Sequence, residues 1–276
     1  MRIERIIENV CHERPLIHHI TNYVTANDCA NIVLACGGSP IMADDVAEVE
    51  EMTSLSKALV LNLGTLNQRT IESMLLAGKK ANGIGIPVIL DPVGVGASTL
   101  RNETTFRLLD EISFAVIRGN VSEMKMIGLR QAHGCGVDAS VGDVVNELNL
   151  DEMVDFAKRL SESLGAVIVM TGAIDIVGSR DEAFVIRNGH GSMAYITGTG
   201  CMLSSVIATF VGANLDTLPL AAAVATALMG RCGEVAHEKM QASFLGYSSM
   251  KLYLMDAMSQ VHQDHMKGGL NIERRG

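Results

Sequence analysis

Four short apolar runs each end in a polar or glycine-bearing turn, and this repeat restricts the fold more than any other feature. Ala58 to Leu63 (ALVLNL) runs into Gly64, and Pro87 to Leu90 (PVIL) into Asp91-Pro92-Val93-Gly94. Phe114 to Ile117 runs into Arg118-Gly119-Asn120, and Ala166 to Met170 (AVIVM) into Thr171-Gly172. Strands that are apolar along their whole length have both faces covered, as in parallel α/β sheets. In such sheets the ligand crevice lies at the carboxyl ends of the strands. The four turns therefore mark where a site is expected.

Helical stretches separate these runs. An amphipathic helix opens the chain, with Ile3, Ile6, Ile7, Val10 and Cys11 at helical spacing. Leu16 to Thr21 reads as a strand, and Val24 to Cys36 as a helix stopped by Gly37-Gly38. Asp45 to Lys57 and Asn67 to Lys80 read as helices. Beyond Thr171, Asp175 to Gly178 and Ala183 to Arg187 read as an antiparallel hairpin at a sheet edge. Further helices are predicted from Gly198 to about Gly212, from Thr217 to Lys239 and from Ser243 to His262. No linker or repeat interrupts the 276 residues, so a single domain is expected, with a frayed polar tail from about Lys267.

Composition removes several functional classes. A net charge of −9 with no Lys/Arg run argues against nucleic-acid binding. Only 19% of residues are charged while 48% are hydrophobic, which leaves apolar surface that oligomerisation would cover. The six cysteines, Cys11, Cys29, Cys36, Cys135, Cys201 and Cys232, are scattered with no paired spacing. A reducing cytoplasm is the expected location. The N-terminal stretch lacks a signal-peptide core, and Leu218 to Met229 reads as a buried helix too short to span a bilayer.

Several residues carry possible chemistry. Gly198-Thr199-Gly200-Cys201 precedes a helix, where glycines let backbone N–H groups approach an anion. An ordinary tight turn would read the same way, as would the weaker pairs Gly94-Val95-Gly96 and Gly189-His190-Gly191. No Walker-type GxxxxGK[ST] string exists. Cys201 at the helix start is expected to have a lowered pKa and could deprotonate an alcohol, or could simply pack beneath the turn. Asp91 after its strand can hold Mg²⁺ or initiate the turn before Pro92. Glu123 can be a second acid near that metal, or close a capping box with Asn120. Arg118 and Thr171 end neighbouring strands and could hold phosphate. Of the adjacent His18 and His19, at most one can face a pocket.

Taken together these strings resemble the hydroxyethylthiazole kinase family, a branch of the ribokinase-like kinases. The resemblance begins with Ile20-Thr21-Asn22-Tyr23-Val24, Gly38-Ser39-Pro40-Ile41-Met42-Ala43 and Glu48-Val49-Glu50-Glu51-Met52. It continues through Leu61-Asn62-Leu63-Gly64-Thr65-Leu66, Asp91-Pro92-Val93-Gly94 and Arg118-Gly119-Asn120 to Glu123. Gly136-Val137-Asp138, Thr171-Gly172 and Thr197-Gly198-Thr199-Gly200-Cys201-Met202 complete it.

The resemblance implies a ribokinase-like three-layer α/β sandwich with a mostly parallel central sheet. It implies ATP-dependent phosphorylation of the alcohol of 4-methyl-5-(2-hydroxyethyl)thiazole, a thiamine salvage step, in a homotrimer with intersubunit substrate sites. By matching motifs, Met42 and Gly198 would contact the thiazole, with Asn22 and Gly64 in or near its pocket. Arg118, Thr171 and Gly200 would serve ATP, and Asp91 and Glu123 would organise Mg²⁺. Cys201 takes the position where ribokinase-like relatives usually carry an aspartate base. Two departures lie near the thiazole pocket. The family commonly has His-Asn where this chain has His18-His19, and Ala-His where it has Ala43-Asp44-Asp45. The alternatives left open are another ATP-using enzyme of this fold, such as a hydroxymethylpyrimidine kinase or a nicotinamide-nucleotide repair dehydratase, and a non-catalytic thiazole-binding regulator.

Overall fold

The computed structural model describes residues 3–131, 145–263, 266 and 268–276. The Gly136-Val137-Asp138 string lies outside them. Among the described residues, nine strands form one sheet in the order β2-β1-β3-β4-β5-β6-β7-β8-β9. They are β1 (Leu16–Ile20), β2 (Ser39–Met42), β3 (Ala58–Asn62), β4 (Val88–Asp91), β5 (Val116–Asn120), β6 (Val167–Thr171), β7 (Asp175–Gly178), β8 (Ala183–Ile186) and β9 (Ile272–Arg275). The pairs from β2 through β6 are parallel, and β7, β8 and β9 join antiparallel.

Among the described residues, ten α-helices cover the two faces. They are α1 (Ile3–Glu13), α2 (Ala26–Ala35), α3 (Val49–Leu55), α4 (Gln68–Ile84), α5 (Thr99–Glu111), α6 (Val121–Gln131), α7 (Leu150–Leu164), α8 (Thr199–Gly212), α9 (Leu218–Ala242) and α10 (Tyr247–Met258). The strands explain the layers. Along β3, Ala58 and Val60 belong to the core under α1, α2, α8, α9 and α10, whereas Leu59 and Leu61 belong to the core under α4 and α7. Each apolar strand thus feeds two cores, which is why its sequence shows no polar alternation.

Local chemistry sets the helix ends. Asn67 caps α4 by accepting from Thr70 N at 3.1 Å, while Thr70 Oγ1 accepts from Asn67 N at 3.2 Å. Gly85 and Gly165 close α4 and α7 with φ of 76° and 64°, a region that glycine enters without a Cβ penalty. Helix α8 is buried from Met202 to Gly212 although it carries Ser204, Ser205 and Thr209. The hydroxyls of these three residues reach carbonyls one turn back, at 3.3, 3.2 and 2.9 Å.

The fold matches the predicted sandwich and departs from the sequence pattern in several places. Ser39–Met42 is an edge strand, although it follows a glycine pair and contains Pro40, which edge strands tolerate. Helix α3 begins at Val49 because Asp45 Oδ1 accepts from Ala47 N at 3.0 Å and holds a turn first. The helix predicted from Ser243 to His262 runs only from Tyr247 to Met258, and α5, α6 and α7 fill stretches for which no helix is predicted, although α7 buries Leu150, Met153, Ala157 and Leu160 at helical spacing. Helix α9 is a core helix as expected and extends to Ala242, a length and composition that would suffice for a bilayer span. The tail is not frayed throughout. Ile272–Arg275 pairs with β8, so β9 and not the hairpin is the edge. Its charged residues form ion pairs, Arg187 with Glu273 at 2.7 Å and Arg274 with Glu182 at 2.7 Å.

Candidate active site

The carboxyl ends of β3 and β4 place Asn62 and Asp91 side by side in register. Asn62 Nδ2 donates to Asp91 Oδ2 at 2.8 Å, and Ser204 Oγ of α8 donates to the same oxygen at 2.8 Å. Asn62 Oδ1 accepts from Gly64 N and from Asn22 Nδ2, both at 2.9 Å. The second N–H of Asn22 points to Cys201 Sγ at 3.4 Å. One hydrogen-bonded path therefore links Asp91, Asn62, Asn22 and Cys201 across three strand ends and a helix start. Gly64 belongs to it sterically: a Cβ there would lie 2.6 Å from the Asn22 side chain.

Arg118 and Thr171 leave adjacent strands β5 and β6, and Arg118 Nη2 donates to Thr171 Oγ1 at 2.9 Å. Arg118 Nη1 lies 3.6 Å from Asp91 Oδ1. Buried Arg118 Nε has no partner among the described residues. Arg118, Thr171, Thr199 and Gly200 wall one end of a cavity of about 340 Å³ that continues past Asp175, Asn188, His190 and Met229. The start of α8 opens on it. Gly198, at φ 89°, is the helix N-cap and supplies no side-chain cap, so the first-turn N–H groups are left for a ligand. A Cβ on Gly198 would collide with Thr25 Cγ2.

Asp91 is completely buried, yet its Oδ1 accepts no hydrogen bond among the described residues. An orphaned carboxylate oxygen facing a guanidinium at 3.6 Å suits a cation or its bound water. Glu123 does less than expected. Its Oε1 accepts from Gly94 N at 2.9 Å and its Oε2 from Asn120 N at 2.8 Å, while Asn120 Oδ1 accepts from Glu123 N at 2.9 Å. This is the capping box, extended to the turn after β4. Each of its oxygens retains one lone pair, enough to accept from a metal-bound water.

Cys201 corrects the expectation of a lowered pKa. Burial pushes its thiol above the ordinary range, the negative charge of Asp91 adds to this, and hydrogen bonds from Thr25, Asn62 and Asn22 only partly oppose it. Desolvation and a nearby carboxylate outweigh the helix dipole.

A second cavity of about 330 Å³ is walled in part by Thr21 and Tyr23, the sequence neighbours of Asn22. Met42, His19, Thr21, Tyr23, Asp44 and Arg69 are among its walls. Met42 is 40% exposed on the open edge strand β2, and Tyr23 beside it is 81% exposed. Buried Thr21 Oγ1 has no partner among the described residues. Of the two histidines, His19 lines the cavity. His18 faces the other side of its strand, with Thr53 Oγ1 at 3.0 Å and Ala43 O at 2.8 Å. His19 is clamped between Ile17 O at 3.1 Å and Ser205 Oγ at 3.1 Å, and burial lowers its pKa to about 4. Asp44 meets Arg69 at 3.6 Å near the cavity rim.

Three contributors escape the sequence motifs. Arg101 of α5 binds Leu63 O, Gly64 O and Val93 O, tying the turns after β3 and β4 together. Ser204 reaches Asp91 from α8. Asp175 stands at the start of β7, accepts from Gly172 N at 2.9 Å and lines the larger cavity. Ser204 could have been found from its position one turn after Gly200. Nothing local marks Arg101, and Asp175 has only the turn bond from Gly172 N.

The model of the hydroxyethylthiazole kinase family matches residues 7–264. A hydroxyethylthiazole kinase of Clostridium acetobutylicum is 53% identical over 268 residues, covering 97% of each chain. The solved hydroxyethylthiazole kinase of Pyrococcus horikoshii OT3 superposes with a TM-score of 0.86 at 29% identity, covering 99% of each chain. A ribokinase-like superfamily protein of Enterococcus faecalis V583 has a TM-score of 0.62 at 12% identity, covering 96% of this chain and 94% of its own, a likeness of fold alone. The sandwich is thus ribokinase-like, and the chain belongs to the hydroxyethylthiazole kinase family.

Proposed function

We propose that the protein transfers the γ-phosphoryl of ATP to the primary alcohol of 4-methyl-5-(2-hydroxyethyl)thiazole, a thiamine salvage step. The observation that carries this is the position of Cys201. Its neighbour Gly200 walls the larger cavity, and its hydrogen-bond partner Asn22 sits between Thr21 and Tyr23 of the smaller one. A nucleotide on one side and an alcohol on the other would meet at the start of α8.

Each residue then has a task. Arg118, steadied by Thr171, binds the polyphosphate, and the first-turn amides of α8 face the migrating phosphoryl. The approach of phosphate satisfies the orphaned Nε of Arg118. Mg²⁺, when bound, neutralises phosphate charge; Asp91 would hold it through Oδ1, with Glu123 engaging a water. Burial and Asp91 keep Cys201 mostly as a thiol at neutral pH, so it acts as a base only through its small thiolate fraction, whose sulfur takes the alcohol proton late, as a loose transition state allows. Asn22 and Gly64 shape the wall next to the reacting hydroxyl, while Met42 and Gly198 pack against the thiazole.

Two further proposals concern the setting. The open β2 edge and the exposed Tyr23 and Met42 beside the smaller cavity favour a homotrimer whose neighbouring subunit completes that pocket. The buried reduced thiols of Cys29, Cys36 and Cys232 favour the cytoplasm. ADP release measured with hydroxyethylthiazole, hydroxymethylpyrimidine and pyridoxal as acceptors tests the activity. Turnover confined to the thiazole is expected, and turnover of the pyrimidine alone would refute the assignment.

A further inference from the structure

Gly189-His190-Gly191 takes no part in the phosphoryl site, yet it forms the far wall of the larger cavity. The segment is held firmly. Glu234 of α9 accepts from Asn188 Nδ2 at 3.0 Å and from Gly189 N at 2.9 Å. Gly230 on the same helix lets it pass close, since a Cβ there would lie 2.6 Å from Asn188 backbone atoms. His190 then caps the short 3₁₀ turn Gly191–Tyr195, which leads into the Gly198 loop.

The hydrogen bonds fix the tautomer of His190. Ser192 N donates to its Nδ1 at 3.1 Å, so Nδ1 carries a lone pair. The ring is then neutral with its proton on Nε2. Ser192 Oγ lies 2.7 Å from the same Nδ1, and its hydroxyl shares that single lone pair with Ser192 N as a three-centre bond. The hydroxyl therefore has only lone pairs left for His237 Nδ1 at 3.1 Å, which must be the protonated nitrogen there. The relay runs one way, from His237 through Ser192 to His190. The two rings also stack, with centroids 3.5 Å apart and planes 19° apart. One face and one nitrogen of His190 are thus committed. The remaining polar group is a single N–H donor, Nε2–H, on an exposed residue in the wall of the cavity.

We propose that His190 is a nucleotide-binding residue whose Nε2–H donates to a ring nitrogen of the base, with Ser192 and His237 as its positioning residues. The inference rests on reading the larger cavity as the ATP site. The phosphates occupy the Arg118–Gly200 end, so the base falls toward the opposite wall, past apolar Met193 and Met229. Purine rings offer nitrogen acceptors and π faces, which a fixed N–H donor on an aromatic stack complements.

The test measures ADP binding by calorimetry, with no acceptor present, and inhibition by inorganic tripolyphosphate, which has no base. His190→Asn keeps a capping acceptor for Ser192 N but cannot reach the base; His190→Ala removes both functions, and thermal melting reports whether either variant is misfolded. ADP affinity is expected to fall about 3- to 10-fold in His190→Asn, the worth of one hydrogen bond, with tripolyphosphate inhibition unchanged. Nitrogen-15 spectra of the histidine rings should show the Nε2–H tautomer for His190 and a shift of that nitrogen when ADP binds. Unchanged ADP affinity in both variants, an Nδ1–H tautomer, or an equal loss with tripolyphosphate would overturn the inference alone. Absence of ADP binding by the unaltered protein would overturn the nucleotide reading of the cavity and the inference with it.

Discussion

Gly200 lies directly beneath the guanidinium of Arg118: a Cβ at position 200 would fall 2.5 Å from Nη1 and 2.8 Å from Nη2. The glycine permits the arginine to cross the start of α8, where it faces Thr171, Asp91 and the cavity at once.

Gly200→Ala should therefore act as a displaced arginine. The KM for ATP is expected to rise about 10- to 100-fold, the range for losing a charge-assisted hydrogen bond. Arg118→Ala should raise it similarly and leave the KM for hydroxyethylthiazole nearly unchanged. Steady-state kinetics with each substrate varied would reveal the opposite pattern, a change confined to the thiazole, if phosphate binds elsewhere.

Cys201→Ala should lower kcat at the small end of the roughly 10²–10⁴-fold range of general-base effects. The thiol is held protonated by burial and by the charge of Asp91, so little thiolate is available to lose at neutral pH. A decrease far beyond ~10⁴-fold would give Cys201 a role other than proton acceptor.

Asp175 places a titrating carboxyl inside the proposed nucleotide cavity. Burial pushes its pKa up to about 7, against the downward pull of Gly172 N–H and Arg118. As pH rises through 7 the group becomes negative and repels polyphosphate. ADP affinity should decline between pH 6 and 8 more steeply in the unaltered protein than in Asp175→Asn, which keeps an acceptor for Gly172 N. Parallel pH profiles from titration calorimetry would remove Asp175 from nucleotide recognition.

His19 titrates in the opposite sense. Burial chiefly lowers its pKa from 6.5 to about 4, with the charge of His18 adding to this and backbone carbonyls opposing it. Between those pH values the unfolded chain binds the proton and the native protein does not, so stability is lost as pH falls from 6.5 toward 4. His19→Asn should reduce that acid sensitivity, leaving the share of His18, whose pKa burial also lowers. Urea midpoints at pH 5 and pH 7 provide the measurement, and an unchanged difference between them would contradict the assignment.

Much of this site could be read from residues adjacent in sequence to strand ends. Asn62, Asp91, Arg118 and Thr171 each follow an apolar run, and a parallel sheet brings such positions to one rim whatever the helices do. Gly198 and Gly200 were legible because a helix start needs backbone room near an anion. The thiol of Cys201 was misjudged because its pKa depends on Asp91, more than a hundred residues away in sequence, and on how deeply α8 is buried. Glu123 was ambiguous for the opposite reason: the capping box is local, and it uses both carboxylate oxygens. Arg101 gave no signal, since its partners are loop carbonyls that only the folded chain gathers, whereas Asp175 has a local partner in Gly172 N and owes to the fold only its place in the cavity. The tail looked disordered because its residues are polar, but an edge strand needs partners on one side only.

That last strand has a bearing on how the molecule is made. β8 is formed from residues 183–186, but its outer row of amides and carbonyls is matched only by residues 272–275. During synthesis those groups remain open until residues 272–275 have emerged, and an open edge recruits other chains. A chain lacking residues 272–275 would keep every residue of the candidate site and still leave a sheet prone to aggregate.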